Sequence, residues 1–136
     1  MCDVCGCGAG PSSVVTGGPA LGHAALLNLG HFAGYTDWRL PNVNELQTLV
    51  NYGGAIPRVD AAFNNNCVPG CAVLTCSCTQ SLYYYWTSTS VASSGANAWV
   101  VNFYGQNGIG IVGNDGVVIN VGKSNNYYAR AVRGGA

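Results

Sequence analysis

The stretch GYTDWRLPNVNELQTLV, residues 34–50, decides the fold class because it contains a clear helix start. Asn42 predicts an N-cap, since its side-chain oxygen can accept a hydrogen bond from a backbone N–H of the first turn. Glu45, three residues later, completes a capping box. The apolar residues that follow have helical spacing: Leu46, Leu49 and Val50. We therefore predict a helix that begins at Asn42 and ends at Gly53–Gly54.

The segments on either side of this helix complete an α+β pattern. An earlier helix is predicted from Gly18–Pro19 to Gly30, because proline suits the first helical position and glycine suits the position after a helix end. From residue 83 onward the sequence is typical of strands, at 83–86, 99–103, 109–112, 117–121 and 127–133, with a clear period of two at 99–103. The strand at 99–103 is expected to be half-buried, and Gly113-Asn114-Asp115-Gly116 predicts a hairpin. Helices followed by an antiparallel sheet indicate the α+β class.

The composition excludes some functions. The 136 residues have a net charge of zero, and only 7% of them are charged, against about 25% in ordinary soluble domains. Nucleic-acid binding as the main task is excluded, because it needs clustered Lys and Arg. No apolar run is long enough for a membrane span, and residues 1–30 contain no visible leader. With 14 Asn and 20 Gly, the surface suits contact with glycans or with copies of the same chain.

Seven cysteines indicate an oxidising compartment, extracellular or at the cell surface. They form an N-terminal cluster and a central cluster: Cys2, Cys5 and Cys7, then Cys67, Cys71, Cys76 and Cys78. Disulfides between the clusters are the favoured interpretation, with one cysteine left for a neighbouring subunit. A zinc site is the alternative, but the spacings differ from paired C-x2-C knuckles. We predict no metal and no cofactor, and the connectivity stays open.

Three segments resemble a known family. They are GYTDWRLP at 34–41 with NELQTL at 44–49, then YWTST at 85–89, then ARAVRG at 129–134. They resemble the C-terminal domain of Legionella collagen-like adhesins, also described as a domain of unknown function. The resemblance implies a C-type-lectin-like fold, shared with formylglycine-generating enzymes, with two helices and a twisted antiparallel sheet with long loops. It also implies extracellular adhesion and the binding of sulfated or acidic glycans.

The sequence departs from the family pattern in three ways. Family members open with a strand bearing a TGLxWQ-like motif, and here only Ser12-Ser13-Val14-Val15-Thr16 stands in its place, so the first strand is expected to be missing. Such a gap would leave an open sheet edge that could recruit another chain. The cysteines expected in the first helix and the last strand are replaced, near Ala25 and at Ala131. The polybasic surface of a sulfated-glycan adhesin is absent.

The charged residues of the motif are interpreted as structural. The Arg39 guanidinium is expected to donate two hydrogen bonds to a carboxylate or to loop carbonyls, with Trp38 in the core. The alternative is that Asp37, Arg39 and Glu45 together bind a ligand. Arg130 and Arg133 are expected to pair with Glu45 or Asp37. The structural motif as a whole is Asp37, Trp38, Arg39, Pro41, Glu45, Trp86, Arg130 and Arg133.

The tyrosine- and asparagine-rich tracts are the candidate binding surface, because these side chains adapt to a partner at low entropy cost. Ordinary sheet-face tyrosines and turn asparagines are the alternative. The candidates are Tyr83, Tyr84, Tyr104, Asn107, Asn125, Asn126, Tyr127 and Tyr128.

We predict no catalytic residues and no enzyme. His23 and His31 lie on or just after the first helix, and no nucleophile, base and orienting group converge. Five acidic residues are few for a lectin-type calcium site.

Two domain segments and two functions are expected. Residues 1–17 form a Cys/Gly-rich segment that is a candidate for contact between subunits, and residues 18–136 form the C-type-lectin-like domain. The favoured function is a structural or adhesive extracellular protein that self-assembles, as a filament or surface polymer, through the N-terminal segment and the charge-poor surface. The alternative is a monomeric or small-oligomeric module, an adhesin or phage-type receptor binder, that recognises a glycan or a cell-surface protein.

Overall fold

This computed structural model describes residues 12–64, 79, 84–103 and 118–134, and of residues 12–19 it describes the backbone alone. Two α-helices and seven strands lie within these residues. In chain order the elements are β1 (Ser12–Thr16), α1 (Gly17–Leu29), β2 (Trp38–Arg39), α2 (Val43–Gln47), β3 (Tyr84–Val91), β4 (Ser94–Asn102), β5 (Val118–Gly122), β6 (Asn126–Arg130) and β7 (Val132–Arg133). Two short 3-10 helices, Phe32–Gly34 and Ala61–Phe63, lie in the connections. The predicted α+β class is confirmed.

The strands form one large sheet and one small one. The large sheet has the order β1-β6-β3-β4-β5. Its neighbours are antiparallel except β3 and β6, which run parallel and meet at Tyr85 and Tyr128. The small sheet pairs β2 with β7, so that Trp38 lies opposite Arg133. The motif segment around Trp38 is therefore joined to the C-terminal strand.

Apolar residues cover both faces of the large sheet. One face carries the cluster Leu46, Val50, Val59, Tyr85, Val101, Phe103 and Tyr128, against which α2 packs. The other carries Ala20, Leu40, Trp86, Ala98, Val100 and Ala129, with Ala20 contributed by α1. Strand neighbours such as Tyr85 and Trp86 fall in different clusters because successive side chains point to opposite faces.

The first strand is present, contrary to the expectation from the missing motif. The backbone of Ser12–Thr16 pairs antiparallel with β6, from Ser12 opposite Arg130 to Thr16 opposite Asn126. Part of residues 1–17, the predicted Cys/Gly-rich segment, thus belongs to the sheet. The strand forms because β6 has an edge to pair, which local sequence does not reveal.

Three further details differ from the predictions. Helix α2 begins as predicted but ends at Gln47, since Val50 instead forms a β-bridge with Val59. The strand predicted to be half-buried is buried on both faces from Val100 to Phe103, because each face has its own cluster. The last strand breaks at Ala131 into β6 and β7.

Several predicted features lie outside the described residues. They are the seven cysteines and therefore every disulfide, the strand at 109–112, and the hairpin at 113–116.

Candidate functional site

The Arg39 guanidinium and the Glu45 carboxylate form a two-pronged ion pair. Arg39 Nη1 donates to Glu45 Oε2 at 2.8 Å, and Nη2 donates to Oε1 at 2.6 Å. Glu45 also completes the predicted capping box, because its Oε2 accepts from the Asn42 backbone N–H at 2.8 Å while Asn42 Oδ1 accepts from the Glu45 N–H at 2.9 Å. The hydrogen bond from Arg39, followed by that from Asn42, lowers the pKa of Glu45 to about 2. The pair thus fixes the start of α2 onto β2.

A second ion pair closes the small sheet. Arg133 Nε donates to Asp37 Oδ1 at 2.8 Å, and the Arg133 guanidinium lies 3.1 Å from the centre of the Tyr35 ring. The hydrogen bond from Arg133 lowers the pKa of Asp37. Arg39 Nε adds a hydrogen bond to the Gly134 carbonyl at 3.0 Å. The motif's charges therefore bind one another and the C-terminal strand, and this supports the structural interpretation over ligand binding by these residues.

Arg130 does not pair with either motif carboxylate, contrary to the expectation. It is 6% exposed, its Nη2 donates to Thr79 Oγ1 at 2.9 Å, and its guanidinium lies 5.9 Å from the centre of the Tyr85 ring. Strand alternation explains the difference, because Arg130 points away from the face that carries Ala129. Trp86 and Pro41 of the motif are both buried, and the Pro41 carbonyl accepts from the Ser88 N–H at 2.8 Å.

All five cationic side chains of the sequence are engaged within the domain. Arg39 and Arg133 hold the carboxylates described above, and Arg130 is buried. Arg58 donates to the carbonyls of Tyr52 and Gly54, both at 2.9 Å. Lys123 donates to the Gly95 carbonyl and to Ser90 Oγ. In the described part of the chain, each of these side chains therefore has a partner of its own within the domain.

An open groove of about 580 Å³ runs between α1 and the Trp38–Asn42 region. Its walls are mostly apolar: Leu21, Ala24, Ala25, Asn28, Trp38, Arg39, Leu40, Asn42 and Ser88. The Trp38 indole donates to the Phe32 carbonyl at 3.0 Å, and the Asn28 side chain bonds both the N–H and the carbonyl of Trp38. Trp38 is half-buried, held at the wall of the groove instead of in the core as predicted.

The outer face of α1 is apolar and exposed. Leu21, Leu26 and Leu29 are 61%, 62% and 78% exposed. The helix has no charged residue along its 13 residues. Leu21 also lines the groove, so the leucine face and the groove are continuous. The sequence showed this apolar helix, but which of its sides faces solvent depends on the packing of Ala20, Ala24 and Leu27 into the core.

The predicted tyrosine and asparagine surface is divided by the sheet. Tyr84 and Tyr127 are half-buried and contact each other edge to face, with ring centres 5.3 Å apart; burial raises the pKa of Tyr127. Tyr128 is 8% exposed and belongs to the opposite core cluster, so it is not a surface residue. Asn125 and Asn126 are exposed. The remaining candidates, Tyr83, Tyr104 and Asn107, lie outside the described residues.

Within the described ranges, no three metal-ligating side chains come together. None of the helices described there is both long and apolar enough to cross a membrane.

Comparison with known proteins identifies the family suggested by the motifs. No curated protein sequence matches the chain significantly. The Lcl C-terminal domain family matches residues 6–133, which are nearly the whole chain and include all of the motif segments except Gly134. The chain therefore belongs to the Lcl C-terminal domain family, an adhesin-like family.

Proposed function

We propose that this protein is a non-enzymatic adhesive domain, extracellular or on the cell surface, that associates with copies of itself through the outer face of α1. The observation that supports this proposal is the exposure of Leu21, Leu26 and Leu29 on a helix without charged residues. Soluble monomers rarely keep contiguous apolar patches beyond a few hundred Å², and larger ones mark interaction sites.

The low charge of the whole molecule supports association. Interspersed charge and a net charge away from zero keep proteins apart, and this chain has a net charge of zero with 7% charged residues. Donation of an N-terminal strand to a neighbour is no longer the favoured route, because β1 pairs with β6 of its own chain. A cysteine cross-link between subunits, as expected from the odd number, stays a proposal about residues outside the described part.

The mass of the purified protein in solution tests the proposal. Light scattering and sedimentation velocity over a range of concentrations, with and without reductant, are expected to show oligomers whose fraction rises with concentration in both conditions. The variant Leu26→Lys/Leu29→Lys is expected to be monomeric, because two ammonium groups would have to be buried in the contact. Asn120→Lys, an exposed position on β5, is the matched control and should associate like wild type. A wild-type protein that stays monomeric throughout overturns the proposal.

The groove favours a second candidate function, recognition of a glycan or a cell-surface protein. Its volume of about 580 Å³ falls within the roughly 300–1,000 Å³ of ligand pockets, and Trp38 offers an aromatic wall. Tryptophan fluorescence during titration with neutral oligosaccharides tests it, and Trp38→Phe should remove a genuine response, because Trp38 lines the groove while Trp86 is buried. Saturable binding by a monomeric wild type would favour this function over self-association.

We also propose that the domain has the C-type-lectin-like fold and is stabilised by disulfides. The two helices, the mixed sheet and the pairing of β1 with the late strand β6 support the first part. Peptide mapping under non-reducing conditions tests the second part, which predicts bridges between the cluster at residues 2–7 and that at residues 67–78.

A further inference from the structure

We infer that the self-association closes as a two-fold dimer in which Ala25 of one copy lies against Ala25 of the other. The inference rests on the proposed function and specifies its partner, a second copy of this chain, and its geometry.

The partner must itself be uncharged. Helix α1 offers no charged side chain, and the domain's five cations are all engaged elsewhere. A charged partner surface would lose its hydration on this face without gaining an ion pair, which is costly. The α1 face of a second copy carries no charged side chain to dehydrate, and Arg39 in the adjoining groove is already paired with Glu45.

The face also has a shape that complements itself. At 100° per residue, the exposed positions of α1 form one stripe: Leu21, Gly22, Ala25, Leu26 and Leu29. Its middle is shallow, since a side chain on Gly22 would meet no atom within 4 Å and Ala25 carries only a methyl group. Larger leucines flank this depression. Helices pack by placing the ridges of one into the grooves of the other, so the leucines of each copy can lie over the small residues of its partner.

The leucine ridge and the depression at Gly22 and Ala25 lie on the same face of α1. Two copies can therefore occupy each other's faces completely, and the assembly stops at a dimer. In a two-fold interface the same patch serves on both subunits, whereas an open filament needs two different patches. The groove beside Leu21 and Ala25 belongs to the same patch and can receive a partner's leucine. Ala25 stands midway along the stripe between Leu21 and Leu29, and a residue at the middle of a two-fold contact faces its own copy. A filament would therefore require a second surface.

The expected affinity is modest. The five exposed residues of the stripe are far fewer than the roughly 20–30 residues a side of standard stable interfaces. The dimer should dissociate on dilution.

A charge-exchange experiment tests the geometry. Ala25→Lys and Ala25→Glu, each alone, are expected to weaken dimerisation at least ~10-fold, because each places like charges against each other. Mixing the two variants should restore a heterodimer, detected by native mass spectrometry through their different masses. Asn120→Lys mixed with Asn120→Glu is the control and should associate like wild type, both mixed and separate. Both substitutions at the exposed residue 25 are good helix formers, and circular dichroism verifies the fold.

The outcomes separate the two proposals. If wild type is monomeric, the proposed function fails. If wild type associates but the mixture of residue 25 variants stays monomeric, or if mass grows beyond a dimer with concentration, the two-fold contact is wrong while self-association stands. Should either variant misfold, the wild-type mass limit at high concentration decides alone.

Discussion

At the scale of single residues, Asn42 governs the start of α2. Its side chain accepts from the Glu45 N–H, and its own N–H is held by the Glu45 carboxylate. We expect Asn42→Ala to lower the free energy of unfolding by about 1 kcal/mol, since an N–H of the first turn loses its acceptor. Urea denaturation measures the change. Asn44→Ala, at an exposed position of the same helix, should leave stability nearly unchanged; equal losses in both variants would contradict the capping role.

Glu45 also makes stability depend on pH. Its pKa is lowered from 4.5 to about 2 in the folded protein, chiefly by the hydrogen bond from Arg39. Because the pKa is lower in the folded state, the ionised Glu45 carboxylate stabilises the fold fully above about pH 4.5. This contribution to stability is lost as the pH falls through about 2. Asp37 acts in the same direction, because its pKa is also lowered.

We expect wild type to lose stability progressively between about pH 4.5 and pH 2, the unfolded and folded pKa values of Glu45. Glu45→Gln should be less stable at neutral pH and should show a shallower decline over this range, because the residue no longer titrates. Denaturant unfolding at several pH values measures both slopes. Identical slopes in the two proteins would show that the pair with Arg39 adds nothing to stability.

At the scale of elements, α1 carries a glycine that its own domain does not require. Gly22 is a helix-interior residue, and a Cβ there meets no atom within 4 Å. We expect Gly22→Ala to raise the free energy of unfolding by roughly 0.5–1 kcal/mol, measured in dilute monomer. Gly34→Ala is the contrasting variant and should destabilise, because Gly34 has φ +81°, a conformation that alanine adopts only with strain. A destabilised Gly22→Ala would mean that the position is crowded.

The elements also show what the sequence could and could not predict. The capping box at Asn42 was predictable because its interactions are three residues apart. Strand β1 was not, because Ser12–Thr16 becomes a strand only through the edge of β6, more than a hundred residues away. The burial of Tyr128 follows from alternation with Tyr127, a signal already in the sequence; the burial of Arg130 on that same side does too.

At the scale of the whole molecule, the cationic side chains make hydrogen bonds inside the domain. Arg39, Arg58, Lys123, Arg130 and Arg133 are the only cations of the sequence, and each binds a group of its own chain. A sulfated-glycan adhesin needs clustered positive charge that is free to meet sulfate groups. The low charge and the internal hydrogen bonds of the cations therefore lead us to expect little binding to sulfated glycans.

Salt dependence provides the test at this scale. If α1 faces associate by apolar contact, raising NaCl to about 0.5 M, where the screening length is only about 4 Å, should change the dissociation constant of the dimer by less than about threefold. Binding to immobilised heparin should be absent even at low salt, because no cation is available to release counterions from the polymer. Sedimentation at several salt concentrations and a heparin column measure the two properties. A dimer that dissociates steeply with salt, or retention on heparin, would show that the cations act on a partner despite their internal hydrogen bonds, and adhesion would then be electrostatic.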